Sequence, residues 1–162
     1  MTAPRLVRLV AALAAAATLG TLAACTPAAK RVAALRSVDG HPTLLVAACD
    51  GFEADGVSVS TVGVTPRVQW DVDRDTGAAS TEVRLLQLPA GWTVTEGTLT
   101  AFEPGREYTV SAADGGETSF PVHFTVEELA ALAPDQVLVG EAAGERKAVT
   151  ESEFRREAKE SC

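Results

Sequence analysis

The sequence lacks an apolar run long enough to form a stable membrane-spanning helix. Such a helix needs about 20 consecutive apolar residues, whereas the N-terminal run covers residues 9–17 and then meets threonine and glycine. What the segment does have is the order of a secretion signal, because Arg5 and Arg8 precede the apolar run and small residues follow it. We therefore expect residues 1–24 to be an export signal that is removed, and not a membrane span.

The sequence also lacks the residue arrangements of common active sites. Its two histidines, His41 and His123, have no metal-ligand spacing to cysteines or carboxylates. No serine stands in a nucleophile elbow, and no glycine-rich phosphate loop is present. These absences favour a protein that is not an enzyme, while an envelope hydrolase stays open as a weaker alternative.

Basic residues are scarce beyond the signal. Removing residues 1–24 leaves 138 residues, which suffice for one domain with a substantial core. This part carries 12 basic and 22 acidic residues, a formal charge of −10. So strong a negative charge argues against a nucleic-acid partner and against a protein that lies flat on anionic lipid.

The apolar segment ends in Leu22, Ala23, Ala24 and Cys25. This order resembles the lipobox of bacterial lipoproteins, and the alanine-rich signal is similar to those of small lipoproteins from high-GC Gram-positive bacteria. The resemblance implies that diacylglycerol is attached to the Cys25 thiol and that the chain is cut before this residue. Two acyl chains would hold the protein on the extracytoplasmic side of the cell membrane, since one chain binds only marginally. The alternative is an ordinary secretion signal with a chance cysteine.

Three cysteines are an odd number for an exported protein. If lipid occupies Cys25, then Cys49 and Cys162 remain as one candidate pair in an oxidising compartment. The last helix supports this pair, because Phe154, Ala158 and Cys162 fall at steps of four and form one stripe. A bridge would close a loop of more than 100 residues, which the chain-entropy model values at roughly 4 to 5 kcal/mol. Two free thiols are the alternative.

Residues 25–37 contain little that could build a core. They include Pro27, several alanines and the cations Lys30, Arg31 and Arg36. We expect this segment to be a short solvated tether that links the lipid to the domain that follows.

The remainder alternates apolar and polar residues in steps of two, as β-strands do. In residues 67–73, three apolar side chains share one face and the polar ones share the other. A hairpin with an Asp-Gly turn follows over residues 108–126. Further strands are expected over residues 43–49, 56–64, 82–88, 92–95 and 136–140. These short strands, with glycine and proline between them, predict a mainly β protein with a β-sandwich over residues 38–149.

Two helices are predicted by the caps at their N-termini. Thr125 and Glu128 form a capping box for a short helix. Thr150 and Glu153 form another, which begins a helix over residues 150–162. The apolar stripe of this C-terminal helix should dock on the sandwich.

One segment carries a family resemblance. Its apolar and turn residues are Leu99, Phe102, Pro104, Gly105, Tyr108 and Val110. Together with Trp70 in a preceding strand, they resemble fibronectin type III modules over roughly residues 64–126. The resemblance implies an immunoglobulin-like sandwich in which the Tyr108 hydroxyl bonds to nearby backbone. It further implies a module that binds or spaces another envelope component, a protein or a glycan.

An acidic stretch offers a candidate metal site. Asp71, Asp73 and Asp75 alternate along the chain, and Glu82 follows eleven residues after Asp71. Calcium loops use alternating oxygen ligands closed by a carboxylate at position twelve, although their glycine stands one position earlier than it does here. Acidic side chains that simply face water would give the same pattern. The alternative function is therefore a calcium-stabilised or calcium-sensing surface module.

Overall fold

The computed structural model describes residues 29–141 and 144–162. In this part of the chain, eleven strands and two helices follow one another. In chain order they are β1 Ala33–Val38, β2 His41–Val46, β3 Gly56–Thr61, β4 Gln69–Arg74, β5 Glu82–Arg84, β6 Trp92–Gly97, β7 Tyr108–Asp114, β8 Glu117–Thr118, β9 Val122–Phe124, α1 Val126–Ala131, β10 Gln136–Gly140, β11 Arg146–Thr150 and α2 Glu151–Ser161.

The strands form two antiparallel sheets. Sheet A has five strands in the order β11-β10-β1-β2-β5. Sheet B has six strands: β6-β4-β3-β7-β8 in order, with β9 also paired to β7. The predicted mainly β sandwich with a C-terminal helix is confirmed.

Sheet A is covered on both faces. Neighbouring residues of its inner strands are buried together, as Leu44 and Leu45 are in β2 and Val137 and Leu138 are in β10. One face packs on β9 of sheet B, and α2 packs on β10 and β11 with Phe154 buried. Because both faces are dry, these strands read as continuous apolar runs and not as alternating ones.

Sheet B turns one face inward and leaves the other to solvent. In β4 the side chains of Trp70 and Val72 are buried, while Asp71 between them is partly exposed. In β3, Val57 and Val59 are likewise buried on either side of an exposed serine. This period of two is the pattern that predicts a strand with one wet side, and the prediction for residues 67–73 is confirmed.

The buried Tyr108 makes the hydrogen bond that the fibronectin type III resemblance implies. The Glu103 backbone N–H donates to Tyr108 Oη at 2.8 Å. The Tyr108 ring meets Phe102 edge-on, with the ring centroids 4.9 Å apart, and Phe102 in turn lies 5.6 Å from Phe124. The hydroxyl therefore ties the segment before β7 to an aromatic cluster in the core.

Both helices begin at the predicted caps. At the start of α1, Glu128 N–H donates to Thr125 Oγ1 and Thr125 N–H donates to a Glu128 carboxylate oxygen, which completes the capping box. At the start of α2, Glu153 N–H donates to Thr150 Oγ1 at 3.2 Å. These bonds satisfy N–H groups that a helix leaves unpaired in its first turn.

The prediction of a tether through residue 37 is wrong from residue 33 onward. Residues 33–38 form β1, the central strand of sheet A, which pairs with β2 on one side and β10 on the other. Ala33, Ala34 and Leu35 are buried, and Arg36 is partly exposed and pairs with Glu82 and Glu151 of neighbouring elements. Small alanine side chains fill a strand position between two covered faces, and this makes the segment core despite its cations.

Candidate functional site

The predicted lipidation residue, Cys25, lies outside the described residues. The structure does give the point at which the following chain enters the sandwich. Lys30 N–H donates to Thr118 O at 3.0 Å, and Phe120 N–H donates to Lys30 O at 2.8 Å. The backbone is thus held from Lys30 onward. We call this the entry end of the sandwich, and it is formed by Lys30, residues 47–55 and the turn at residues 114–117.

The cations at the entry end are bound to the domain. Lys30 Nζ lies 2.6 Å from a Glu117 carboxylate oxygen and 5.7 Å from the centre of the Phe52 ring. The Arg31 guanidinium lies 5.5 Å from the centre of the Phe120 ring. Both side chains therefore make contacts that a solvated tether would not make, and ring faces attract cations at these distances.

The predicted disulfide is present and lies at the entry end. Cys49 and Cys162 are bonded, with their Cα atoms 5.6 Å apart and a sequence separation of 113. Cys49 follows β2 in the loop of residues 47–55, while Cys162 ends α2. Phe154 and Ala158 on the same stripe are buried, so the helix periodicity that predicted this pairing is confirmed. The bond fixes the end of α2 to the entry end.

A cavity of about 320 Å³ lies beside this disulfide. Cys49 and Phe52 form part of its wall, together with the acidic Asp50 and Glu53 and the hydroxyl of Ser80. The Ser80 hydroxyl donates to the backbone oxygen of Glu82 at 2.6 Å, so it serves the local structure. The Ser80 hydroxyl is thus engaged with a backbone oxygen, and the lining offers shape and negative charge.

Two further cavities lie at the opposite end, which we call the far end. It comprises the hairpin turn at residues 39–40 and the loops of residues 62–68 and 103–107. A cavity of about 340 Å³ lies between these two loops. Another of about 460 Å³ lies between the end of β1 and the segment that follows α1. Loops held on a rigid sandwich are common sites of protein recognition.

The structure does not bring the predicted calcium ligands together. Asp71 lies on the solvent face of β4 and accepts hydrogen bonds from Ser58 Oγ and Gln69 Nε2. Glu82 begins β5 in the other sheet and pairs with Arg36.

The other two carboxylates of that set belong to β4 or directly follow it, in sheet B. Asp73 is in β4, opposite Gly56 of β3 and Thr93 of β6, and Asp75 follows the strand and accepts a hydrogen bond from Thr93 Oγ1. In the described part of the chain, no three His, Cys, Asp or Glu side chains form a metal-binding group. The calcium-loop prediction is wrong because residue 82 belongs to a different sheet and not to the loop that follows β4.

Ion pairs join α1, β11 and the loop of residues 103–107 on one side of the sandwich. Arg146 binds Glu128 with Nη2 at 2.8 Å and Glu107 with Nη1 at 2.5 Å. His123 Nδ1 lies 3.6 Å from the same Glu107 carboxylate, whereas His41 is exposed at the start of β2. The two histidines therefore lie apart, as surface residues and not as a ligand pair.

The same ion pairs shift two pKa values. Burial opposes ionisation of Glu128, but hydrogen bonds from Arg146 and from Thr125 N–H, together with the Arg146 charge, lower the pKa of Glu128 overall. Burial similarly opposes the Arg146 charge, but its bonds to Glu128 and Glu107 raise the pKa of Arg146. Both shifts mean that the folded protein favours the charged forms of Glu128 and Arg146, so the ion pair stabilises the fold.

Sequence patterns could not reveal the contacts between Lys30 and Phe52 or between Arg146 and Glu107. The partners are far apart in the chain, and periodicity reports only on neighbours within one element. Only the Thr125–Glu128 part of the network had a local signal, the capping box.

Comparison with protein-family models, with curated proteins and with solved structures gives no match for this chain. Across residues 29–141 and 144–162, no helix is both long and apolar enough to cross a membrane. The lipoprotein and fibronectin type III resemblances therefore stay predictions.

Proposed function

We propose that this chain is a lipid-anchored lipoprotein on the extracytoplasmic side of the cell membrane. In this proposal its sandwich domain is not an enzyme but binds or spaces another component of the envelope. The observation that carries the proposal is how the three cysteines are used. Cys49 and Cys162 are bonded to each other, which leaves Cys25 as the third cysteine of the sequence, outside that bond. Cys25 is also the residue that ends the lipobox-like order.

The disulfide supports the predicted compartment. Structural disulfides persist outside the cytoplasm and are rare inside it, where thiols are kept reduced. A leftover cysteine in an exported protein needs an explanation, since a free thiol there would react. A thioether to diacylglycerol at Cys25 supplies that explanation without a fourth cysteine.

Binding is favoured over catalysis by how the polar side chains are used. Hydroxyls and carboxylates that chemistry would need are engaged in structural bonds, as with Ser80, Asp71 and Glu128. The far-end loops and cavities offer a surface on which a protein or glycan could dock. The strongly negative charge disfavours nucleic acid as that partner.

Metabolic labelling tests the anchor. Cells that express the full chain are fed an alkyne-tagged fatty acid, and the protein is then isolated and scored for label and for membrane attachment. We expect label on the wild type and none on the Cys25→Ala variant, which should move to the soluble fraction.

The matched control is the double variant Cys49→Ala, Cys162→Ala. It replaces two cysteines where the first variant replaces one, but it should keep the label and the membrane attachment. Label that persists on Cys25→Ala would refute the lipid anchor. Crosslinking in the intact envelope, followed by identification of the crosslinked molecules, then tests the binding role.

A further inference from the structure

We infer that the entry end of the sandwich lies against the headgroup surface of the bilayer and that the far end points away from it. This inference rests on the lipid anchor proposed above. It adds which surface of the domain meets lipid, and so which surface is left for a partner.

The first step is the length of chain between the anchor and the domain. Lys30 stands five positions after Cys25, and each step spans at most about 3.6 Å, so this segment reaches no more than about 18 Å. Lys30 is the limit of this reach, because its N–H and C=O are bonded to Thr118 and Phe120. The Lys30 side chain adds an ion pair to Glu117. The flexible part of the tether therefore ends at Lys30, and residues after it cannot lengthen it.

The second step is the position of the far end. From Ala33, β1 runs away from the entry point for six residues, which is about 20 Å of strand. The pairing places the start of β1 beside the end of β2, at Ala33 and Val46, so both lie at the entry end. If the far end rested on the bilayer, Lys30 would stand about 20 Å above the membrane surface. The tether reaches only about 18 Å, so this orientation would require β1 to leave sheet A.

The third step is what the entry end presents to the lipid. Its exposed residues are Ala48, Asp50, Gly51, Glu53 and the two glycines of the turn after β7. Five carboxylates lie there, and they outnumber the three cations nearby, which are Lys30, Arg31 and Arg74. Attraction to anionic headgroups therefore does not hold this surface in place. The short covalent tether does so, and anionic lipid should push the surface outward at low salt.

The fourth step concerns the disulfide. Cys49 and Cys162 join the entry loop to the end of α2, so this end is one covalently linked surface and not a set of separate loops. The surface that faces the bilayer is thus expected to be stiff. The loops of residues 62–68 and 103–107 are expected to face outward, where a protein or glycan could reach them.

Headgroup quenching tests this orientation. The full lipidated protein is inserted into phosphatidylcholine vesicles that contain a small fraction of lipid with a spin label on the headgroup. One fluorescent residue replaces either Glu53, whose side chain is 74% exposed at the entry end, or Arg67, which is exposed at the far end. We expect strong quenching at position 53 and little at position 67.

The control lengthens the tether. A flexible glycine-serine linker of about 20 residues, inserted between Pro27 and Ala28, gives the domain a r.m.s. reach of about 25 Å more. Quenching at position 53 should fall at least twofold in this variant. In vesicles that also contain phosphatidylglycerol, quenching at position 53 should rise as salt is added, because the Debye length falls to about 3 Å at 1 M.

The outcomes separate the two proposals. If the wild-type protein fails to float with the vesicles, the anchor and the orientation are both overturned. If it floats but positions 53 and 67 are quenched equally, or position 67 more strongly, the anchor stands and the orientation alone is wrong.

Discussion

Asp55 and Asp114 lie in neighbouring loops, and each side chain accepts a backbone hydrogen bond from the loop of the other. An Asp55 carboxylate oxygen accepts the N–H of Gly115 at 3.0 Å, and an Asp114 carboxylate oxygen accepts the N–H of Glu53 at 2.9 Å. The Asp55 N–H in addition donates to Ala113 O at 2.8 Å. The loop that carries Cys49 and the turn after β7 are therefore fixed to each other by reciprocal bonds.

These two aspartates should be energetically coupled. Replacing either Asp55 or Asp114 with Ala removes one charge-assisted bond and should lower the free energy of unfolding by about 1 to 2 kcal/mol. The double variant should lose at least about 0.5 kcal/mol less than the sum, because the loops separate once one bond is gone. Urea unfolding of the four proteins measures the coupling. Glu160→Ala, at an exposed position of α2, is the control and should change little. Strict additivity would contradict the coupling.

Gly140 should not tolerate a side chain. A Cβ built there would collide with the Pro121 carbonyl oxygen and would lie 2.9 Å from its carbon. Gly140→Ala should therefore lower the free energy of unfolding by about 3 kcal/mol, as overpacking does, since β10 must move away from the segment before β9. Gly97→Ala is the control, because its Cβ meets only a γ-methyl of the exposed Val94, at 3.3 Å. Equal unfolding midpoints for the two variants would contradict this contact.

The Glu128–Arg146 pair should make the free energy of unfolding depend on pH in the acid range. The pKa of Glu128 is lowered in the folded protein, so its ionisation stabilises the fold above the ordinary value of 4.5. This contribution is lost as the pH falls through the lowered pKa. At pH 7, Glu128→Gln should reduce the free energy of unfolding by about 1 kcal/mol, a modest value because the carboxylate is 40% exposed.

The difference between wild type and Glu128→Gln should then shrink below pH 4.5, where the wild type loses the same charge. Urea midpoints measured across the acid range give this profile. Glu160→Gln, on an exposed position of α2, removes one carboxylate and should give no such profile. A difference for Glu128→Gln that stays constant with pH would rule out the ion pair as its cause.

The disulfide should contribute a large part of the stability. Replacing both Cys49 and Cys162 with Ala frees a loop that spans 113 positions and should cost about 4 kcal/mol. The urea midpoint of the wild type should fall to that of the variant when a reductant is added, whereas the variant itself should not respond. Two alkylatable thiols in the unreduced wild-type domain would contradict the bond.

The two-sheet fold could be predicted because its signals are local. Alternation in residues 67–73 and the Asp-Gly turn of the 108–126 hairpin each fix one element, and the strand over residues 136–140 has the predicted bounds. Other strands differ from the prediction in their bounds, as β6 does by extending to Gly97. The strand predicted over residues 82–88 ends at Arg84, and Leu86 then has a left-handed φ of 63°.

What could not be predicted depends on partners that are distant in sequence. The segment at Ala33, Ala34 and Leu35 is a central strand only because sheet B and the helices cover both its faces, and alanine gives a weak apolar signal. The polar β11 was missed for a similar reason, since it is held by pairing with β10. The disulfide was the exception, because so few cysteines leave few pairings.

The position of β1 has a mechanical consequence. A pull on the chain before Ala33 acts along β1, and the hydrogen bonds to β2 and β10 run across that direction on both sides. Both rows are then loaded in shear and must yield together, whereas an edge strand would peel away bond by bond. If they do yield, β1 and β2 can be drawn out because both precede Cys49, while the chain from Cys49 to Cys162 stays closed as a covalent ring. That ring caps how far the protein can extend under load.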